Sequence, residues 1–383
     1  MQTAARILKL RLPEQNALKN TPERCSADPV MLETIGRFVG EQVRIKRKDD
    51  PHFFALYTVK QANPDGRGRA NVVRAGQGGR KRLGTAADIE ATVQARVVDA
   101  APQPGEPDGT RFFEIADDDG KQSYFVAIAP HGGKIEEHTD EEAAETIRQL
   151  TDAGFPASLW LCKGFGDTAK GASDRWHITS TDLNPACFPL LQSLMSRRFC
   201  YAVAFHGFHR RHNEADVYIG GAASRSLKVT IKEALNDLDL PIKVKISTRQ
   251  DSPKFQGFSA ENITNRLATR GGIHLEQSAQ ARKYYQEIAR AVAHAFVSRL
   301  RFLVCIFIED LEAERIRREA EFVLALSKGL AAAPLDVERA IKDYRAWKAA
   351  DAELSAKVNT AEELQSFGES EKLATAGAGK KKG

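Results

Sequence analysis

The chain has 383 residues, 42% of them hydrophobic, and a formal net charge of +5, room for a core domain of about 200 residues with one or two appendages. No stretch approaches the roughly 20 consecutive apolar residues of a membrane helix, the longest such run being Phe302–Ile308, and charges interrupt the first fifteen residues, so neither a membrane span nor a secretory signal is expected and a cytoplasmic protein is. The five cysteines, at 25, 162, 187, 200 and 305, are irregularly spaced and include no Cys-x-x-Cys, which excludes a thiolate zinc site and fits reduced, buried thiols.

Residues 1–35 form an amino-terminal segment with no assigned element. Short β-prone runs follow within 36–100, at Gln42–Ile45, Phe53–Val59, Ala70–Arg74 and Ala91–Val98, separated by Gly, Pro and Asp turns; they predict a small β-rich domain. Residues 67–82 are basic and glycine-interleaved. No aromatic residue stands among those charges to stack on bases, so a solvated hairpin is the better reading and nucleic acid is not an expected partner. Residues 101–109, dense in Pro and Gly, read as a linker.

From 110 to 300, strands alternate with helical patterns, the signature of an α/β sheet. A Thr followed by acidic residues opens a helix over 139–152. Strands are predicted near Ser158–Cys162, Trp176–Ser180, Tyr201–Phe205 and Ile242–Ser247, and helices over 226–237 and 279–300. Residues 301–357 carry helical patterns, and 358–383 carry no core-forming pattern.

Two strand ends carry chemistry. The run Tyr124–Ala129 reads as a buried strand ended by Pro130, and the glycines of Ala129-Pro130-His131-Gly132-Gly133-Lys134-Ile135-Glu136 allow a turn that brings His131 and Glu136 to one point. A second apolar strand, Cys200–Phe205, also ends in His-Gly, at His206-Gly207. Carboxyl ends of neighbouring strands in an open α/β sheet converge on one crevice, so His131, Glu136 and His206 can share one ion. In Gly272-Ile273-His274-Leu275-Glu276, the two-residue period of a strand puts His274 and Glu276 on the same face, and one of them is a candidate general base.

Taken in order, the blocks APHGGKIE (129–136), WHITST (176–181), AFHG (204–207) with VYIGG (217–221), ENITNR (261–266) and GIHLEQS (272–278) resemble the poly-gamma-glutamate hydrolase family of phage and bacterial zinc peptidases, over roughly residues 110–298. The resemblance implies an α/β fold with a mixed open sheet and flanking helices, carboxypeptidase-like, and one Zn2+ as cofactor. Position by position it implies His131, Glu136 and His206 as metal ligands and Glu276 as the catalytic carboxylate. Arg266 would clamp a substrate carboxylate, with Asn265 and His177 also at the substrate. The substrate class implied is an anionic, gamma-linked glutamyl polymer or a similar peptide-like amide. Lys134 and the run His138-Thr139-Asp140-Glu141 depart from the family pattern and alter the mouth of the site.

The remaining histidines carry weaker signals. His177, flanked by Trp176 and Ile178, reads equally as a structural histidine; His209 and His212 fall on a polar loop, and His138 opens a polar helix. Residues 1–105 and 300–383 inherit nothing from the resemblance, and a protein partner through either extension is an expectation about them. A non-catalytic binding protein built on a peptidase-like domain is the alternative to a zinc-dependent amidohydrolase, because one fold and one metal triad host many chemistries.

Overall fold

In the computed structural model, residues 1–9, 17–50, 52–62, 71–103, 105–208, 214–297 and 299–300 are described. His209 and His212, part of the basic 67–82 stretch, Cys305, the apolar run Phe302–Ile308, the 301–357 extension and the 358–383 tail lie outside the described residues. No helix among the described residues is long and apolar enough to cross a membrane. Cys25, Cys162 and Cys187 are buried free thiols and Cys200 is half-buried.

Short runs of β-branched and aromatic residues build six strands, β1 (Gln2–Lys9), β2 (Arg24–Ala27), β3 (Gln42–Arg47), β4 (Phe54–Ala62), β5 (Val72–Ala75) and β6 (Ile89–Gln94). They close into a barrel in the order β1-β5-β2-β4-β3-β6, so no edge is left open to pair with another chain. Inward-facing Ile7, Val43, Ile45, Tyr57, Val59, Val73 and Val93 fill it, and Met31, Leu32 and Ile35 of the helix Pro29–Ile35 join that core. The barrel therefore begins at Gln2. Two of its strands come from the segment to which the sequence assigned no element, because β2 is only four residues long and β1 buries no more than Ala5, Ile7 and Leu8, too little pattern for a period to stand out.

The α/β region forms a seven-stranded sheet from β7 (Phe112–Asp117), β8 (Phe125–Gly133), β9 (Ser158–Gly164), β10 (Tyr201–Phe208), β11 (Val217–Gly220), β12 (Val244–Ile246) and β13 (Gly272–Ser278), in the order β12-β11-β13-β10-β8-β9-β7. The central strands β13, β10, β8 and β9 run parallel, and β7 and β11 pair antiparallel to their neighbours. The architecture is mixed α/β, as the alternation of patterns predicts. Pro130 does not end its strand. β8 continues to Gly133 with a register shift between Ala129 and Gly132, a bulge being where a residue without an N–H is tolerated inside a sheet.

Barrel and sheet belong to one compact unit, Met1–Arg148 with Pro156–Val292; a second unit gathers Gln149–Phe155 with the chain from Ala293 onward, of which 293–297 and 299–300 are helical. Within the first unit the two cores meet: Leu56 of β4 packs in the cluster of Val126, Ile128, Trp160 and Trp176, and the Phe54 and Trp176 rings stand 5.1 Å apart.

The contact is centred on one irregular segment, 177–184. The predicted strand at Trp176–Ser180 is absent: Trp176 closes the helix Ala169–Trp176, and 177–179 have no regular structure. Backbone polar groups inside a protein must still find partners, and here they find them in the barrel and at the start of the helix Ile263–Leu267. Buried Arg82 donates to the carbonyls of Asp174 (2.5 Å), Leu56 (2.8 Å) and His177 (3.0 Å). Gln42 Nε2 donates to the Asp182 carbonyl at 2.6 Å and Gln42 Oε1 accepts from the Asn184 amide at 3.0 Å. The Ser180 carbonyl accepts from the Ile263 amide at 3.1 Å. The barrel thus grips, from outside, the segment that borders the strand ends carrying the histidines.

Candidate active site

β8, β10 and β13 end side by side, and register does the first part of the assembly. His206 of β10 is paired with Glu276 of β13, and Ala204 with His274. Past the bulge in β8, Gly133 takes a φ of 69°, the left-handed region open to glycine, and the chain turns so that the Glu136 amide donates to the His131 carbonyl at 2.9 Å. The helix Thr139–Asp152 starts immediately after, and its Asp140 Oδ1 accepts the Gly133 amide at 2.9 Å.

Three donor atoms converge as a result. His131 Nδ1 lies 3.1 Å from Glu136 Oε2 and 3.1 Å from His206 Nδ1, and His206 Nδ1 lies 3.5 Å from Glu136 Oε2. Ligands of a tetrahedral zinc, each at about 2.0–2.1 Å from the metal, stand roughly 3.3 Å from one another, so these spacings fit one small cation. The tautomers fit too. His131 Nε2 donates to the Ile178 carbonyl at 2.8 Å; a carbonyl only accepts, so in the neutral ring Nδ1 is the nitrogen that carries the lone pair. His206 Nε2 meets Ser180 Oγ at 3.2 Å, turning its Nδ1 to the same point. Outer partners of this kind fix ring orientation in metal sites. Glu136 Oε2 also accepts the Gly207 amide at 2.9 Å.

Electrostatics mark the same cluster. Burial opposes the charge on Glu136, yet His131 and His206 hold its carboxyl well below the usual range. His131 is raised by Glu136 against the cost of its own burial. Burial, with His274 beside it, pushes His206 down to about 4. A buried carboxylate calls for a positive charge beside it, which the raised His131 supplies here and a cation held among the three donors would supply in its place.

His177 is a neighbour of this cluster and a competing donor. Its Nε2 is 3.9 Å from Glu136 Oε1, its ring centroid is 4.3 Å from that of His131, and His131, Glu136 and His177 offer ligand atoms within 4.8 Å of one another. The set with His206 is the tighter one. The Nδ1 of His177 faces Glu23 Oε1 of the barrel at 3.7 Å, an ion-pair distance.

Glu276 is the fourth buried group. Burial pushes its carboxyl up to about 8, and His274 Nε2 stands 3.1 Å from Oε1. Around these groups runs a cleft of about 540 Å³ lined by His131, Glu136, His177, Thr179, His206, Asn262, His274 and Glu276, with Glu23 and Arg24 from the barrel and Lys254 and Phe258 from the loop before β13. A second cavity, of about 560 Å³, lies beside the linker, but its Arg44 and Arg111 are already paired, with Asp99 and Glu106, and no cluster of donors faces it among the described residues.

His131, Glu136, His206, Glu276 and His177 are therefore brought together. Arg266 and Asn265 are placed elsewhere. Arg266 is exposed, its Nη1 reaching the Leu183 carbonyl at 3.4 Å. Asn265 is committed to backbone: Oδ1 accepts from Ala222 and Gly272, and Nδ2 donates to Gly257 and Ser259, all at 2.8–3.2 Å. It ties down a loop that lines the cleft. Sequence reasoning did not anticipate the Ile178 carbonyl, Ser180, or the barrel's Glu23 and Arg24. The WHITST block was the available signal for the first two, since its serine is the residue that meets His206.

Residues 107–295 match the family model described as poly-gamma-glutamate hydrolase. The UPF0714 protein YmaC of Bacillus subtilis (strain 168) is 26% identical over 173 residues, 45% of this chain and 65% of that protein, so the chain spans less than two thirds of that relative's length. Among solved structures, a bacteriophage poly-gamma-glutamate hydrolase matches 49% of this chain and 89% of its own at 22% identity and a TM-score of 0.41. A structure described as YNDL-apo (zinc-free) matches 48% and 89% at 20% identity and a TM-score of 0.37. The stretch matched by the poly-gamma-glutamate hydrolase family model, residues 107–295, carries every donor of the convergent cluster.

Proposed function

We propose that the protein is a zinc-dependent hydrolase of gamma-glutamyl amide bonds. The observation that carries this reading is the meeting of His131 Nδ1, His206 Nδ1 and Glu136 Oε2 within 3.5 Å of one another, beside a buried carboxyl, Glu276, that stands 3.1 Å from His274 Nε2. His131, His206 and Glu136 would hold the metal. Zinc bound there would polarise the amide carbonyl and lower the pKa of water.

The protein's own groups supply the proton path. Glu276 takes a proton from water as the water oxygen bonds to the amide carbon. It returns that proton to the nitrogen as the carbon–nitrogen bond breaks, leaving a carboxylic acid and an amine. Burial raises the Glu276 carboxyl, and a positive metal held beside it would draw it back towards the carboxylate that takes the proton, leaving it able to act as base and then acid. His274, held at Oε1, keeps the Glu276 side chain aimed into the cleft. His177, at the cleft wall, is placed to donate towards the carbonyl oxygen.

The test is incubation of the zinc-loaded protein with poly-gamma-glutamate, followed by chain length and new amine groups, with alpha-linked polyglutamate as control. Shortening of the gamma-linked polymer alone, abolished by chelation and restored by zinc, is the expected result. An unchanged polymer at stoichiometric zinc would contradict the reading.

A further inference from the structure

We infer that Arg24, a residue of the amino-terminal barrel and outside the family-matched region, is the carboxylate-binding residue of the substrate cleft. The identity of the carboxylate rests on the gamma-glutamyl reading above. A chain of glutamates joined through side chains keeps a free alpha-carboxylate on every unit, and a cleft that cuts it needs a cation to register one of them.

Two cationic side chains line the cleft, Arg24 and Lys254. Lys254 is exposed and lies with Nζ 4.6 Å from the Phe255 ring centroid, a flexible point charge on the rim. Arg24 is held. Its Nε and Nη2 donate to the two oxygens of Asp182 at 2.6 and 3.2 Å, and its side chain is 20% exposed against 1% for Asp182. Nη1 has no hydrogen-bond partner among the described residues. An arginine anchored by one edge keeps a planar donor face for a second carboxylate and loses little freedom on taking it.

Charge balance favours that second anion. Asp182 also accepts Lys60 of β4 at 2.9 Å, so two cations share one carboxylate and the group carries an excess positive charge. The same segment that holds Asp182 carries Ser180 and the Ile178 carbonyl, which hold the two imidazoles. Arg24 is therefore registered against the reacting groups by a few residues of chain. Arg266 is directed to the Leu183 carbonyl instead.

The experiment compares a gamma-linked glutamate trimer with its alpha-carboxamide analogue, by calorimetric binding to the Glu276→Gln form and by steady-state cleavage, in otherwise wild-type protein, Arg24→Gln and Arg24→Lys. Zinc content and thermal midpoint are read on each to confirm that the fold and metal site persist. The expected result is a preference for the carboxylate trimer of at least about tenfold with Arg24 in place, lost in Arg24→Gln through a raised KM with a smaller change in kcat, and partly kept in Arg24→Lys. A preference that survives in Arg24→Gln overturns the proposal while the hydrolase reading stands. Zinc-loaded protein that neither binds nor cleaves either trimer overturns the gamma-glutamyl reading and this proposal with it.

Discussion

His131 and His206 face each other Nδ1 to Nδ1 at 3.1 Å, and the far nitrogen of each ring is held by the same short stretch of chain, at the Ile178 carbonyl and the Ser180 hydroxyl. Two rings from different strands are thus aimed by one irregular segment, which is itself gripped by the barrel through Arg82, Gln42 and Arg24. Removing the hydroxyl should loosen the aim without removing a ligand. Ser180→Ala is expected to weaken zinc binding by about 10- to 100-fold, measured by competition with a chromogenic chelator, with the ligand set unchanged.

Glu276 is assigned the proton transfers and no part in holding metal. Glu276→Gln should lower kcat by about 10²- to 10⁴-fold while zinc content equals that of wild type. Elemental analysis and steady-state kinetics on one preparation check both halves; loss of zinc together with activity would make Glu276 a ligand.

Gly207 follows His206 for a steric reason. A Cβ there would stand far inside contact distance of Arg282, a buried side chain fixed to the Glu137 carbonyl at 2.7 Å and the Gln277 carbonyl at 2.9 Å. Gly207→Ala is predicted to cost about 1–3 kcal/mol of stability, the usual range for overpacking, and to displace the amide that Glu136 accepts. Chemical denaturation with and without zinc measures both.

Behind the site lies a buried acid that takes no part in the proposed chemistry. Glu142 accepts from Gln277 Nε2 at 2.5 Å, its other oxygen has no partner among the described residues, and burial pushes its carboxyl up to about 8. The folded protein then holds a proton that the unfolded chain, with an ordinary carboxyl near 4.5, has released. Stability is greatest below the unfolded value and falls as pH rises, at about 1.4 kcal/mol per unit, until the folded group itself ionises. Near neutrality the cost is on the order of 3 kcal/mol. Glu142→Gln should therefore be more stable than wild type at pH 7, with a difference that grows from about pH 4.5 to about pH 8 and then levels. Equal stabilities across that window would contradict a protonated Glu142.

How much of this could be read in the residues depends on where the signal sits. His131, Glu136, His206 and Glu276 were legible because each stands at or near the end of an apolar strand, and the ends of neighbouring strands meet. The alternation in β13 placed His274 and Glu276 on one face, and they are in contact. Ile178 was not legible, since it contributes a backbone carbonyl and any residue would supply that group. Trp176–Ser180 looked like a strand because apolar residues alternate there, but its carbonyls go to Arg82 and His131 instead of to a neighbouring strand. Nor could sequence spacing show that residue 24 lines the same cleft as residue 276, because the contact is made by a closed barrel whose first two strands carry little pattern. The Asn265-Arg266 pair suggested a polar clamp; in the structure Asn265 spends its hydrogen bonds on loop backbone.

The central claim is that one zinc is held by His131, Glu136 and His206, with His177 outside the ligand set. Zinc content by elemental analysis, on wild type, His206→Ala and His177→Ala loaded and desalted in parallel, tests it most directly. The account predicts about one zinc per chain in wild type and in His177→Ala, and loss of the metal in His206→Ala. Zinc retained without His206 and lost without His177 would contradict the assignment, and no zinc in wild type would contradict the metal site itself.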